Sequence, residues 1–436
     1  QSIFIADSRV FKMMLKKLTR RRMLFGTAGA SVLATIGLRP SDESGPTSPY
    51  FDAIRSALLK AGIATPALIV DKERLANNVG VLMSHLPVDM KYRVVSKSLP
   101  SMRLIDFIAN RANTDRLMTF NLEMLQELSN SRYKQLLGKP LPVAAVSRYY
   151  NSVLDRKSAD HIQWLVDSEK RLRDYASLAS ELDLVFTINL ELDIGLHRGG
   201  FNVGELDAVL SLIGAHKHLQ FSGFMGYEPH VAALPQVFGW QKRGIEDAWS
   251  IYDRAIKIAT NRLGNYEIDN VTRNAAGSKT YRFYKDTRIA NELSIGSALV
   301  KPSGFDKPLL EEYQPASFIA APVLKNFNQT RLPSGIGSIS DIHGFWNPNY
   351  RRAIFIYGGN WMADPVDPPG LKVNPIFGLS SNQQMMNGGE QLDIQVDDFI
   401  FFRPRQSEAV FMRFGDIAVF HEGDIVERWP VFPASA

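Results

Sequence analysis

The feature that most constrains this chain is an alternation, running from about residue 67 to residue 300, of short apolar runs with amphipathic stretches. The apolar runs are "ALIVD" (67–71), "YRVVSK" (92–97), "RLMTFN" (116–121), "PVAAVS" (142–147), "IQWLVD" (162–167), "VFTINLELD" (185–193), "LQFSGFMGYE" (219–228), "NVTRNAAG" (270–277) and "LSIGSALV" (293–300). Between them lie segments of helical period such as "LEMLQELSN" and "SEKRLRDYASLASEL". Strands that are apolar on consecutive residues are buried on both faces, which describes a parallel sheet covered by helices. The expected fold class is α/β, a (β/α)8 TIM barrel over residues 46–308. Nine runs are one too many for eight strands, so the first or the last belongs to another sheet. From about Tyr313 helical periodicity disappears, and short strands punctuated by Gly, Pro, Asn and Asp take over. Residues 309–436 are therefore expected to form a C-terminal antiparallel β domain.

A chain of 436 residues is long enough for two cores. Its 45% hydrophobic and 22% charged content is that of a soluble globular protein. The net charge of +5 is modest and forms no basic stripe, so nucleic acid is not an expected partner. The absence of cysteine excludes disulfides, thiolate nucleophiles and cysteine metal sites. Residues 1–45 read as an export signal and linker: a basic run, an apolar stretch from Met23 to Leu38, then polar residues. The stretch is too short to span a bilayer comfortably. Thr19-Arg20-Arg21-Arg22-Met23-Leu24 has the pattern of a twin-arginine signal, which predicts a folded protein exported to the periplasm. The signal then gives no stable membrane insertion after its removal; an uncleaved N-terminal anchor is the alternative.

In a barrel, the C-terminal strand ends converge on one site. Here they carry Lys97, Asn121, Ser147, Arg148, Asp167, Asp193, His197, Arg198, Tyr227, Glu228 and His230, followed by "NAAGSKTY" (274–281). A lysine in a partly apolar site loses its proton readily, and its amine can form a Schiff base with a carbonyl. Small residues in the loop let backbone N–H groups approach a phosphate, and its hydroxyls add donors. A lysine at one strand end and a phosphate loop at a late strand together describe pyridoxal 5'-phosphate.

The segment "IATPALIVDKERLANNV" resembles the opening of the D-threonine aldolase and D-serine dehydratase-like proteins, relatives of the alanine racemase barrel. "LELDIGLHRGGF", "FSGFMGYEPHVA", "NAAGSKTY", "NELSIGSALV" and the closing "GDIAVFHEGDIVERWPV" are similar to that family's segments, in the same order. The resemblance implies a pyridoxal-phosphate enzyme acting on a small D-amino acid as a lyase. Lys97 would carry the cofactor and move the α-proton. Arg198, with His197, would lie near the ring, and Tyr227 would line its pyridine side. Gly277, Ser278 and Thr280 would hold the phosphate. A homodimer, in which the β domain completes the neighbouring site, is also implied.

The departures concern the metal. The family's histidines around the lysine are absent from "VVSKSLP". In "RPRQSEAVF", Gln406 stands where a metal-binding histidine is expected and Glu408 stands at the second ligand. Glutamine is a poor transition-metal ligand, although Glu408 with other oxygens suits a hard cation. No metal ligand is assigned. The alternatives to a lyase are a racemase, which needs a second base on the opposite face, and a non-catalytic ligand-binding relative. A barrel hydrolase with Asp193, His197 and His230 as metal ligands is a third reading.

Overall fold

The computed structural model describes residues 40–153, 161–331, 333–334 and 346–434. The expected export signal lies outside the described residues, apart from its linker. Eight parallel strands close a barrel in chain order: β2 (Lys91–Val95), β3 (Arg116–Thr119), β4 (Lys134–Leu137), β5 (Ile162–Val166), β6 (Phe186–Leu192), β7 (Leu219–Gly226), β8 (Thr272–Ala275) and β9 (Glu292–Ile295). Closure is made by β9 against β2, with Lys91 opposite Glu292 and Val94 opposite Ile295. The barrel expectation holds.

One of the nine apolar runs folds differently from the reading above, and the first is the run that belongs to another sheet. "PVAAVS" is not a strand but the start of the helix Val143–Ser152. Pro142 sits at its N-cap position, and Val146, Tyr149 and Tyr150 bury one face at helical spacing. The missing strand is β4, "KQLL", whose first residue is exposed and whose four residues give little periodic signal. Its three following side chains, Gln135 included, are buried.

"ALIVD" is strand β1 (Ala67–Asp71), and it belongs to the other sheet. It pairs antiparallel with β10 (Ser317–Phe327) and parallel with β16 (Asp416–His421). The sheet runs β13 (Lys372–Val373), β14 (Gln383–Gly388), β11 (Arg352–Tyr357), β10, β1, β16, β17 (Asp424–Pro430), with β15 (Phe399–Pro404) pairing both β10 and β12 (Ala363–Asp367). The helix Pro49–Lys60 packs Phe51, Ile54, Ala57 and Leu58 on this sheet, against Phe318, Phe401 and Ala418. Residues 49–71, placed with the barrel on sequence grounds, are thus structural parts of the β domain. Among the described residues no helix is long and apolar enough to cross a membrane.

Candidate active site

The barrel's C-terminal mouth opens into a cavity of about 610 Å³. It is lined on one side by Lys97 and Ser98, on another by Ala276–Thr280, and between them by Arg198, Tyr227 and Glu191. Phe305, Gln406 and Glu408 close it from the C-terminal side.

Lys97 leaves the barrel in the single turn Ser96–Ser98 that follows β2. The turn is anchored by Ser96, whose hydroxyl donates to the Met118 carbonyl at 2.8 Å. Gly296 allows the turn to pack down, since a Cβ there would stand 2.8 Å from Cβ of Val95 and 3.0 Å from Cβ of Ser98. The strand therefore ends on an ammonium because that ammonium points into the cavity. Its Nζ lies 4.9 Å from the centre of the Phe120 ring and 3.9 Å from Oε1 of Glu408. The cation–π contact with Phe120 holds the side chain over the barrel mouth.

The loop after β8 begins with Ala276 in the left-handed region at φ +64°. Thr280 and Tyr281 both donate their backbone N–H to the Gly277 carbonyl at 3.0 Å, leaving the N–H groups of Ser278 and Lys279 outside the turn's own bonding. The Ser278 hydroxyl oxygen accepts from the N–H of Ala298 at 3.0 Å and of Gly296 at 3.4 Å. Its proton is free to donate into the cavity. Thr280 lines the cavity too, but its hydroxyl oxygen accepts from the Gly277 N–H at 3.1 Å. It braces the loop, and the buried Glu228 takes part in the same bracing: one carboxylate oxygen accepts from the Ala276 N–H at 3.4 Å. Burial pushes the Glu228 carboxyl above its ordinary range, against the Thr280 and Ala276 hydrogen bonds.

Tyr227 is fixed between Arg198 and the loop. The Arg198 guanidinium lies 5.4 Å from its ring centre. A Cβ at Gly277 would stand 2.8 Å from Cε2 of Tyr227, so only glycine leaves room for the ring. Burial raises the Tyr227 phenol, Glu228 adds to the rise, and Arg198 opposes it. Below them Glu191 is buried at the cavity wall; burial raises its carboxyl, and Arg198 again works against the shift.

The structure gathers Lys97, Arg198, Tyr227, Gly277, Ser278 and Thr280 around one cavity, and it does not bring His197 with them. His197 is 81% exposed in its side chain, has φ +55°, and pairs with Asp193 through Nδ1 at 2.8 Å. His197 and Arg198 are both exposed in the bend after β6, but Arg198 lines the cavity and His197 does not. The metal-hydrolase reading fails with it: among the described residues no group of three His, Cys, Asp or Glu side chains gathers to hold an ion. Ser147 and Arg148 lie on a helix, not at a strand end. Sequence reasoning missed Phe120, Glu191, Lys139 and Phe305 as lining residues. Glu191 was in principle legible, as a charge inside the apolar run "INLELD" one residue before the strand end.

The cavity fits pyridoxal phosphate by its donor set. Lys97 supplies an amine for its carbonyl, the 277–280 loop supplies N–H and hydroxyl donors for its phosphate, and Tyr227 offers a ring beside the glycine loop.

Residues 70–303, more than half of the chain, match the family described as "Alanine racemase, N-terminal domain". No curated protein matches the sequence. In fold, the chain is similar to D-threonine aldolase from Filomicrobium marinum, with a TM-score of 0.65 at 16% identity over 85% of this chain and 95% of that one. It is equally similar to D-threo-3-hydroxyaspartate dehydratase from Delftia sp. HT23, with a TM-score of 0.65 at 14% identity over 85% and 98% of the two chains. Alanine racemase from Bacillus anthracis aligns with a TM-score of 0.61 at 13% identity over 84% and 97%. These likenesses carry the barrel and the appended β domain across all three. By the match over its barrel, the chain belongs to the alanine racemase N-terminal domain family.

Proposed function

We propose that this protein is a pyridoxal-phosphate-dependent lyase acting on a D-amino acid, of the aldolase or dehydratase kind. One observation carries the reading: Lys97 and the glycine-serine loop after β8 open into the same cavity with Tyr227 and Arg198 between them. Bound there, the cofactor supplies an electron sink for charge developing at the substrate's α-carbon. Lys97 would hold the cofactor through Nζ, and the same amine is placed to move the proton at the substrate's α-carbon. Ser278 and the loop N–H groups hold the phosphate. Tyr227 would line the cofactor's ring, and the Arg198 guanidinium lies over Tyr227.

The names of the aldolase and dehydratase of similar fold support a D-configured hydroxy amino acid as substrate. A homodimer and a periplasmic location reached through the twin-arginine-type signal are part of the same proposal. Size-exclusion chromatography with light scattering and cell fractionation test those two parts.

The central test is the visible absorption spectrum of the protein loaded with pyridoxal phosphate, before and after borohydride, beside Lys97→Ala. A near-visible band that borohydride abolishes and the variant lacks supports the reading. A protein that takes up no pyridoxal phosphate overturns it. Incubation with D-threonine, D-serine and D-alanine then separates aldehyde release, keto-acid formation and inversion.

A further inference from the structure

The divalent metal that the resemblance implies does not fit the residues present. Gln406 is exposed, and the Glu408 carboxylate is already engaged with the barrel. Its Oε2 accepts from the Ser98 hydroxyl at 3.4 Å, and the Ser297 hydroxyl oxygen stands 3.5 Å away. Ser297 in turn donates to Ser98 at 2.9 Å and meets Ser407 at 3.3 Å. Two serine hydroxyls from two barrel segments thus stand against one oxygen of a carboxylate that the β domain delivers to the barrel mouth, and Ser407 backs Ser297. The other oxygen, Oε1, faces Lys97 Nζ at 3.9 Å. Ser98 and Ser297 are buried, while the Glu408 side chain keeps 36% exposure on the cavity side. The clamp orients the group without closing it off.

We propose that Glu408 is a catalytic base of this site, acting on the substrate's β-hydroxyl and replacing a metal ion there. The inference rests on the pyridoxal-phosphate reading above and specifies its reaction as carbon–carbon cleavage. Lys97 serves the α-carbon; a group about 4 Å from its nitrogen is placed to serve an oxygen two bonds further on. Glu408 accepts the hydroxyl proton. The electron pair of that O–H bond becomes the second bond of an aldehyde carbonyl. The Cα–Cβ bond breaks, and its pair stays on Cα, where the Lys97 ammonium returns a proton. The proton lost from oxygen equals the proton gained at carbon, and Glu408 resets by passing its proton to Lys97. The products from a β-hydroxy amino acid are an aldehyde and glycine, with no oxidant, reductant or metal consumed. Both groups lie on one side of the cavity, which suits cleavage and not the two opposed bases of a racemase.

The test uses the full chain loaded with pyridoxal phosphate, as wild type, Glu408→Gln and Glu408→Ala. Three readouts are taken with and without EDTA: the near-visible band, aldehyde release from D-threonine, and exchange of the α-hydrogen of D-alanine in deuterium oxide. D-Alanine has no hydroxyl, so its exchange reports on Lys97 alone. The expected result is an unchanged band in all three proteins and wild-type aldehyde release indifferent to EDTA. Aldehyde release falls by about 100-fold or more in both variants, the scale of a lost general base. α-Hydrogen exchange stays within about threefold under the same reasoning. Aldehyde release that EDTA abolishes and Mn²⁺ restores would overturn the proposal, as would parallel loss of exchange and cleavage, or variants as active as wild type. A wild-type protein without the band fails the cofactor reading itself, which the Glu408 variants do not address.

Discussion

A side chain on Gly277 would place its Cβ 2.8 Å from Cε2 of Tyr227, a separation that real Cβ contacts do not tolerate. The glycine and the tyrosine are therefore one structural unit, the floor on which the cofactor's ring and phosphate would both rest. The Arg198 guanidinium also lies over the Tyr227 ring, 5.4 Å from its centre.

Gly277→Ala should therefore displace the Tyr227 ring rather than the barrel backbone. The expected outcome is pyridoxal-phosphate affinity weakened by about tenfold, equivalent to about 1.4 kcal/mol. Thermal stability should change little, because the loop is at the cavity rim. Titration of cofactor absorbance alongside a melting curve checks both; unchanged affinity would separate the loop from the cofactor.

Inside the barrel, Glu292 is fully buried and receives Arg93 through Nε at 2.5 Å and Arg116 through Nη1 at 2.7 Å. Burial raises its carboxyl, but Arg93 and Arg116 outweigh burial and hold it below the ordinary carboxylate range of 4.5. A depressed folded value means the stabilisation is complete above pH 4.5 and is lost as pH falls through the folded value. Glu292→Gln leaves a buried guanidinium unpaired and should cost about 3–5 kcal/mol. The variant should also lose part of the wild type's acid-induced destabilisation. Urea titrations between pH 3 and pH 7 measure both.

Glu228 should behave in the opposite sense. Its carboxyl is raised by burial, so its contribution is favourable at low pH and is lost as pH climbs from the unfolded value of 4.5 toward the raised folded one. Glutamine mimics the protonated acid. Glu228→Gln should match wild type at acid pH and equal or exceed its stability at pH 8, with the gap growing over that interval. A variant that is markedly less stable at pH 8 would show that the ionised carboxylate is the favoured form.

The β domain should not fold as a fragment of residues 309–436. Strand β1 occupies the middle of its sheet, between β10 and β16, and the helix Pro49–Lys60 covers Phe318, Phe401 and Ala418. Without them the two neighbouring strands lose their shared partner and expose a row of unpaired backbone groups. The fragment should show no cooperative melting by circular dichroism. Supplying residues 46–71 through a flexible linker should restore it.

How much of this was legible in the sequence follows from the range of the forces involved. The barrel was readable because burial on both faces writes itself as continuous apolar runs. The convergence of Lys97, Arg198, Tyr227 and the 277–280 loop was readable because barrel topology brings strand ends together whatever lies between them. "PVAAVS" misled because valines favour strands only where a sheet awaits them, and here the next turn supplies Tyr149 and Tyr150 for a helix face. "KQLL" was invisible because four residues carry too little pattern, and its place comes from pairing with β3 and β5.

The chain by itself determined its periodicity, its charged strand ends and its loop of small residues, all properties of neighbours along the backbone. Only the tertiary structure decided that β1 leaves the barrel for the C-terminal sheet, that Arg198 lines the cavity while His197 does not, and that Glu408 reaches Lys97 across 311 positions of sequence (408 less 97) to stand 3.9 Å away. Those outcomes depend on which surfaces meet, and partners hundreds of residues apart leave no local periodicity to read.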